Sequence, residues 1–265
     1  MAFWLRIVLI TVGGYLLGSI NFARLYTQAR NKDIGHEGSG NPGTMNMARN
    51  YGLKAGVATL LFDMFKGAAP ALAGYFILRG YVNSAEIKNS IGFLDGPLSN
   101  IGRLGIFIGG GSAILGHMLP LFHKFRGGKG VATSIGLFYI LDWRVILGLM
   151  AVCIVVFYFF ELGSVVSFIC IGGMTAAEYI KMFVRPLCGT GYYSYYNIFT
   201  EHSALDYRVY FIFSALILGT FFIVIMLAHY KNIYNLIRGR ERRFSMRERI
   251  KAWRERKRAQ DDSEQ

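Results

Sequence analysis

Residues 143–162, WRVILGLMAVCIVVFYFFEL, run for twenty positions with charge only at Arg144 and Glu161. A helix crosses a bilayer core with roughly 20 apolar residues, within a range of about 17 to 25, so this stretch reads as a membrane span. Six further apolar runs flank it, at residues 3–23, 54–78, 104–121, 131–141, 164–184 and 209–230. The run 131–141 is short by the same criterion and suits a half-span. The run 3–23 is too long for the apolar region of a signal peptide and no A-x-A pattern follows it, so it is expected to be retained. The fold class expected from these runs is an all-α integral membrane protein with seven transmembrane helices.

The composition agrees. Of the 265 residues 53% are hydrophobic and only 17% charged, where a soluble domain carries about a quarter charged. That excludes a soluble domain and a disordered chain, and three cysteines exclude a fully paired disulfide scaffold. The net charge of +13 is unevenly placed: twelve of the 29 basic residues lie in 231–258 against Glu241, Glu248 and Glu255. Basic residues also favour segment 24–53 (Arg24, Arg30, Lys32, Arg49) and segment 122–130 (Lys124, Arg126, Lys129) over the loops 81–103 and 185–208. By the positive-inside rule the N-terminus is expected outside and the C-terminus in the cytoplasm. The chain then divides into a membrane domain, 1–237, and a basic cytoplasmic tail, 238–265. The tail reads as an anchor at anionic headgroups rather than a nucleic-acid site, since no aromatic stacking platform accompanies the charge. Tyr192, Tyr193, Tyr195 and Tyr196 are expected at the outer interface.

Two glycine-rich loops share the expected cytoplasmic face. Residues 38–43, GSGNPG, formally match G-x-G-x-x-G, and Asp63 lies twenty residues after Gly43. The dinucleotide fold is excluded because a membrane span, not a strand, precedes the motif. The physical content remains: Gly38, Gly40 and Gly43 let backbone N–H groups converge into an anion nest. Ser39, Asn41, Thr44 and Asn46 add neutral donors, and Arg49 adds a fork suited to phosphate. The second loop, residues 117–133, carries His117, Gly127, Gly128, Lys129 and Gly130. It lacks the spacing and the Ser/Thr of a Walker A sequence, yet glycines and a lysine at a helix start form an anion site. Two such loops on one face suggest two phosphorylated groups handled together.

Within the spans, Asp63 with Lys66 and Glu178 with Lys181 stand at i, i+3 and read as structural pairs. Ser164 and Ser167 begin a span beside the loops, and His229 and Asn232 share a helix face where the last span ends. Cys153, Cys170 and Cys188 show no metal-ligand spacing, so no metal and no cofactor are expected.

Together these residues resemble a known family. The matching stretches are Gly18-Ser19, Asp33 and 38–43 with Asn46 and Arg49; Asp63, Lys66 and Gly67; 116–133; 164–167; and 229–241, from His229 and Asn232 to Glu241. The chain is similar to the bacterial acyl-phosphate:glycerol-3-phosphate acyltransferases (PlsY). The resemblance implies a seven-span enzyme of the bacterial cytoplasmic membrane, its active site facing the cytoplasm. Such an enzyme moves a fatty acyl group from acyl phosphate to the 1-hydroxyl of glycerol 3-phosphate, giving lysophosphatidic acid and phosphate. Carried over by position, Ser39, Lys129, His229 and Asn232 are catalytic. Gly38, Gly40, Asn41, Gly43, Asn46, Arg49, His117, Gly127, Gly128, Ser164 and Ser167 bind substrate. The chain departs from the family in having Gly35 where an arginine is usual and Met45 where a threonine is usual.

No histidine is followed five residues later by aspartate, so the H-x-x-x-x-D pair of other glycerol-phosphate acyltransferases is absent. Acyl phosphate is already activated and needs no nucleophilic serine. The alternative reading, a transporter of phosphorylated metabolites, calls for inverted repeats with broken helices, and neither glycine loop has a second copy.

Overall fold

The computed structural model describes residues 2–79, 100–187, 204–241 and 243–245. Every regular element among them is helical, as hydrocarbon demands of a spanning chain whose backbone must bond to itself. In order they are α1 (Phe3–Ser19), α2 (Phe22–Gln28), α3 (Thr44–Tyr51), α4 (Leu53–Arg79), α5 (Asn100–Met118), α6 (Val131–Phe160), α7 (Gly163–Leu187), α8 (Ala204–Ala228) and α9 (Tyr230–Ile237). Single 3-10 turns stand at Ile34–His36 and Leu121–His123. Among the described residues five stretches are long and apolar enough to cross a membrane: Phe3–Gln28, Leu53–Arg79, Gly102–His123, Val131–Phe160 and Gly163–Lys181. A sixth forms if Ala215–Ala228 and Tyr230–Ile237, bent by 58°, count together. The expected interfacial tyrosines, Cys188 and the tail beyond residue 245 lie outside the described residues.

The runs 131–141 and 143–162 occupy one continuous element, α6, but its helix is broken between them. Asp142 leaves helical geometry at φ −158° and ψ 91°. Its Oδ1 then accepts the N–H groups of Arg144 at 3.1 Å and Val145 at 3.2 Å, restarting the helix as an N-cap. Its Oδ2 lies 2.6 Å from Lys181 Nζ. Lys181 also pairs with Glu178 at 2.7 Å, and Glu178 lies 3.5 Å from an Arg103 nitrogen. The expected Glu178–Lys181 pair is thus half of a four-residue cluster joining α5, α6 and α7.

Helix α5 is the hub. In its apolar window 72% of residues are buried, against 17% in α6, and it packs on α1, α4, α6 and α8. Where lipid tails are as apolar as leucine, association rests on close packing, and small residues permit it. A Cβ on Gly74 would run into the Gly105 carbonyl and one on Gly105 into that of Gly74; Gly18 meets Ala113 in the same way. Gly67 of α4 and Gly136 of α6 each abut a carbonyl of the other helix, at Thr133 and Met64. These contacts run along the length of α1, α4, α5 and α6; those of Gly18, Gly67 and Gly136 lie towards the end where the second glycine-rich loop emerges.

Gly74→Val is therefore expected to destabilise the bundle by about 1–3 kcal/mol, seen as a lower unfolding temperature in detergent. Gly148→Ala, with nothing within 4 Å of its added methyl, is expected to leave that temperature unchanged or raise it.

Candidate active site

The second loop is held from beneath. Tyr15 donates its hydroxyl to the Leu119 carbonyl at 2.8 Å, and Leu121 donates its N–H to Ser19 Oγ at 3.3 Å, fixing the exit of α5 to α1. A tight turn follows, with Phe125 N–H on the Pro120 carbonyl at 3.0 Å and Lys124 and Phe125 both at positive φ. The Gly128 N–H then returns to the His117 carbonyl at 3.1 Å. The imidazole of His117, 3% exposed, lies directly under the Gly128 Cα, so no side chain fits there. His117 Nδ1 is 3.4 Å from Asp63 Oδ1, which is 2.8 Å from Lys66 Nζ, and Lys66 donates on to the Ile20 carbonyl at 3.0 Å. The expected Asp63–Lys66 pair is present, extended by a third member. Gly130, at φ +87°, turns the chain into α6, whose N-terminus has no side-chain cap. Its first N–H groups and dipole are open to an anion beside Lys129.

The first loop is shaped by Asn46, 2% exposed at the base of α3. Its Oδ1 accepts the Ser39 N–H at 3.0 Å and Asn50 Nδ2 at 3.1 Å, while its own Nδ2 donates to the Glu37 carbonyl at 2.9 Å. Asn46, expected as a substrate ligand, thus ties the loop to the base of α3. Gly38 and Gly40 take positive φ, and Ser39 stands exposed at the crown between them. Asn41 donates its N–H weakly to Ser39 Oγ at 3.5 Å.

A polar chain closes the other side. Lys129 Nζ donates to Asn232 Oδ1. Asn232 Nδ2 donates to Ser164 Oγ at 2.6 Å, and Ser164 donates to Glu241 Oε1 at 2.7 Å. The same carboxylate oxygen accepts the Ser164 N–H at 3.0 Å, so Glu241 caps α7 from 77 residues away. Three residues on, Phe244 donates its N–H to the Glu161 carbonyl at 2.8 Å and buries its ring to 3% exposure. Within the stretch 238–265, expected as a basic cytoplasmic tail, Glu241 and Phe244 are thus held against the body. Arg49 lies with its guanidinium 5.9 Å from the Phe244 ring. His229, 2% exposed at the bend before α9, lies 2.8 Å from the Ile225 carbonyl through Nδ1. A carbonyl only accepts, so Nδ1 carries the proton and Nε2 offers a lone pair when the ring is neutral.

Of the expected residues, Lys129, Asn232 and Ser164 are brought into one hydrogen-bonded chain. Ser167 is not: its hydroxyl returns to the Gly163 carbonyl at 2.9 Å. His117 and Asn46 support the two loops from within. The Met45 side chain lies beside Gly163 of α7, close enough that a methyl added there would be in van der Waals contact with it. Glu241 carried a sequence signal only as the end of the C-terminal motif, and Arg24 only as a loop charge.

Glu241→Ala removes the α7 cap and is expected to cost about 1 kcal/mol or somewhat more, with Glu241→Gln milder because an amide oxygen still accepts both bonds. Thermal unfolding in detergent compares the two.

The geometry accords with comparisons to known proteins. Residues 8–239 match the family model described as glycerol-3-phosphate acyltransferase. The glycerol-3-phosphate acyltransferase of Ureaplasma urealyticum is 30% identical over 254 residues, covering 92% of each chain. That of Aquifex aeolicus is 29% identical over 240 residues, covering 91% of this chain and all of its own. The crystal structure of PlsY, an integral membrane glycerol 3-phosphate acyltransferase, in its glycerol 3-phosphate form superposes with TM-score 0.65 at 25% identity, covering 92% of this chain and 98% of that one. Its lysophosphatidic acid form gives 0.62 at 25% identity, covering 90% and 95%. With a family match along most of its length and a polar site at the converging ends of its apolar helices, the chain belongs to the glycerol-3-phosphate acyltransferase family of integral membrane proteins.

Proposed function

We propose that the chain transfers a fatty acyl group from acyl phosphate to the 1-hydroxyl of glycerol 3-phosphate, releasing lysophosphatidic acid and inorganic phosphate. The relatives solved with glycerol 3-phosphate and with lysophosphatidic acid support the acceptor and the product. The observation that carries the reading is the open N-terminus of α6 behind Lys129, facing the chain through Asn232 and Ser164. A second phosphate has its place at the exposed crown of residues 38–43. Seven crossings follow if the break at Asp142 separates two of them, with the N-terminus outside and both loops on the cytoplasmic side of a bacterial inner membrane. The basic residues beyond 245 then face anionic headgroups.

In the mechanism the acceptor's hydroxyl oxygen attacks the acyl carbon, the bond from that carbon to the phosphate oxygen breaks, and the phosphate leaves. The acceptor's own phosphate takes the hydroxyl proton. The protein supplies alignment and positive potential for the developing oxyanion and the leaving group. Lys129 and Arg49 provide charge, Ser39, Asn41 and the backbone of Gly38, Gly40 and Gly43 hold the donor, and His229 Nε2 with Asn232 orients the acceptor. Gly127 and Gly128 let the backbone approach the acceptor's phosphate.

The test uses purified protein in detergent, with phosphate release required to depend on both acyl phosphate and glycerol 3-phosphate. Activity with acyl-CoA but not with acyl phosphate overturns the donor assignment. Lys129→Met is expected to lower kcat roughly 10²-fold or more, and near-normal turnover of a folded variant would sink its role.

Burial pushes the Lys129 ammonium down from 10.5 to about 8, with Glu241 opposing the shift and Arg49 adding to it. The charged form is the lower-pH form, so the site loses a positive charge as pH rises through that value. kcat/KM for glycerol 3-phosphate is expected to decline above about pH 8, and Lys129→Arg to remove that alkaline limb.

A further inference from the structure

One cation links the second glycine-rich loop to the turn that leads into the first. Arg24 stands on α2, and its side chain is 12% exposed. Its backbone is pinned, since Arg24 N–H donates to Asn21 Oδ1 at 3.0 Å and Thr27 Oγ1 donates to the Arg24 carbonyl at 3.1 Å. From this fixed base the two arms of the guanidinium diverge. Nη1 lies 3.2 Å from Asp33 Oδ1, and that oxygen also accepts the Gly35 N–H at 2.8 Å. Asp33 thereby sets the turn Ile34–His36, whose chain runs on into the crown at 38–43. Nη2 donates to the Arg126 carbonyl at 3.0 Å, on the residue just before Gly127.

We propose that Arg24 is a positioning residue, a clamp whose two arms fix the spacing between the donor-binding and acceptor-binding loops. The inference rests on the two-loop reading given above. A surface ion pair alone contributes little, but a planar fork with one arm on each loop fixes a distance. Distance is what this reaction needs. Each loop folds through bonds of its own, Asn46 in the first and His117 in the second, so each still binds its phosphate without the clamp. Only their relative placement is lost, and a misplacement of about 1 Å costs on the order of 10²-fold in rate.

The experiment is steady-state kinetics on purified wild type, Arg24→Gln, Arg24→Lys, Asp33→Asn and the double variant Arg24→Gln/Asp33→Asn. Monodispersity in detergent is checked for each. Wild-type phosphate release dependent on both substrates comes first; its absence rejects the acyltransferase reading, not the clamp. Given that activity, Arg24→Gln is expected to lose roughly 10- to 100-fold in kcat with each KM within about threefold of wild type. Arg24→Lys recovers little, because a single ammonium does not span both acceptors. The double variant is expected to be no slower than Arg24→Gln. Arg30→Gln, on a cation stacked 3.6 Å from the Tyr26 ring outside the site, keeps wild-type kinetics. A wild-type kcat in folded Arg24→Gln, a loss confined to KM, or additive losses in the double variant each overturn the clamp. If Arg24→Gln does not fold, a wild-type kcat in Arg24→Lys overturns it instead.

Discussion

A fully buried ammonium governs how this molecule is put together. Lys66 has no exposed side-chain surface, and an unpaired charge in such a place is not tolerated. It must hold Asp63 and the Ile20 carbonyl, which fixes the end of α1 against α4. Asp63 reaches His117 at the end of α5, and His117 forms the floor on which Gly128 rests. Three helices and the glycine-rich loop are thus registered by one charge. The glycine contacts along α1, α4, α5 and α6 supply the closeness, but they are apolar and repeat along each helix. The buried charge supplies the register, since sliding any one helix by a turn would strand it.

The N-termini of α6 and α7 are treated oppositely. That of α7 is occupied by the Glu241 carboxylate, which takes both the hydroxyl and the N–H of Ser164. That of α6 is left without a side-chain cap. A built-in carboxylate therefore satisfies the first turn of α7, while that of α6 has no side chain in the same role. Glu241 also opposes the downward push that burial and Arg49 exert on the Lys129 ammonium.

The spans were legible because hydropathy over about twenty residues is a local property. The break at residue 142 was legible too, since Asp142 interrupts two apolar runs and caps the second. The glycine-rich loops could be read as anion sites because glycine, serine and lysine declare their chemistry by type. What could not be read was which polar group is spent on structure. Asn46 and Ser167 carry donors suited to a ligand, yet their bonds close within a short length of chain. Arg24 and Glu241 show the converse. Their partners lie 102 and 77 residues away, and inside basic runs both read as ordinary members of a charge pattern.

The capping of α7 by a residue near the end of the chain bears on how the protein is made. Translation proceeds from the N-terminus, so both glycine-rich loops exist long before His229, Asn232 and Glu241 leave the ribosome. Until then the start of α7 is uncapped and Lys129 lacks the amide that holds it. A partly synthesised chain therefore carries both glycine-rich loops without the hydrogen-bonded chain that joins Lys129 to Glu241.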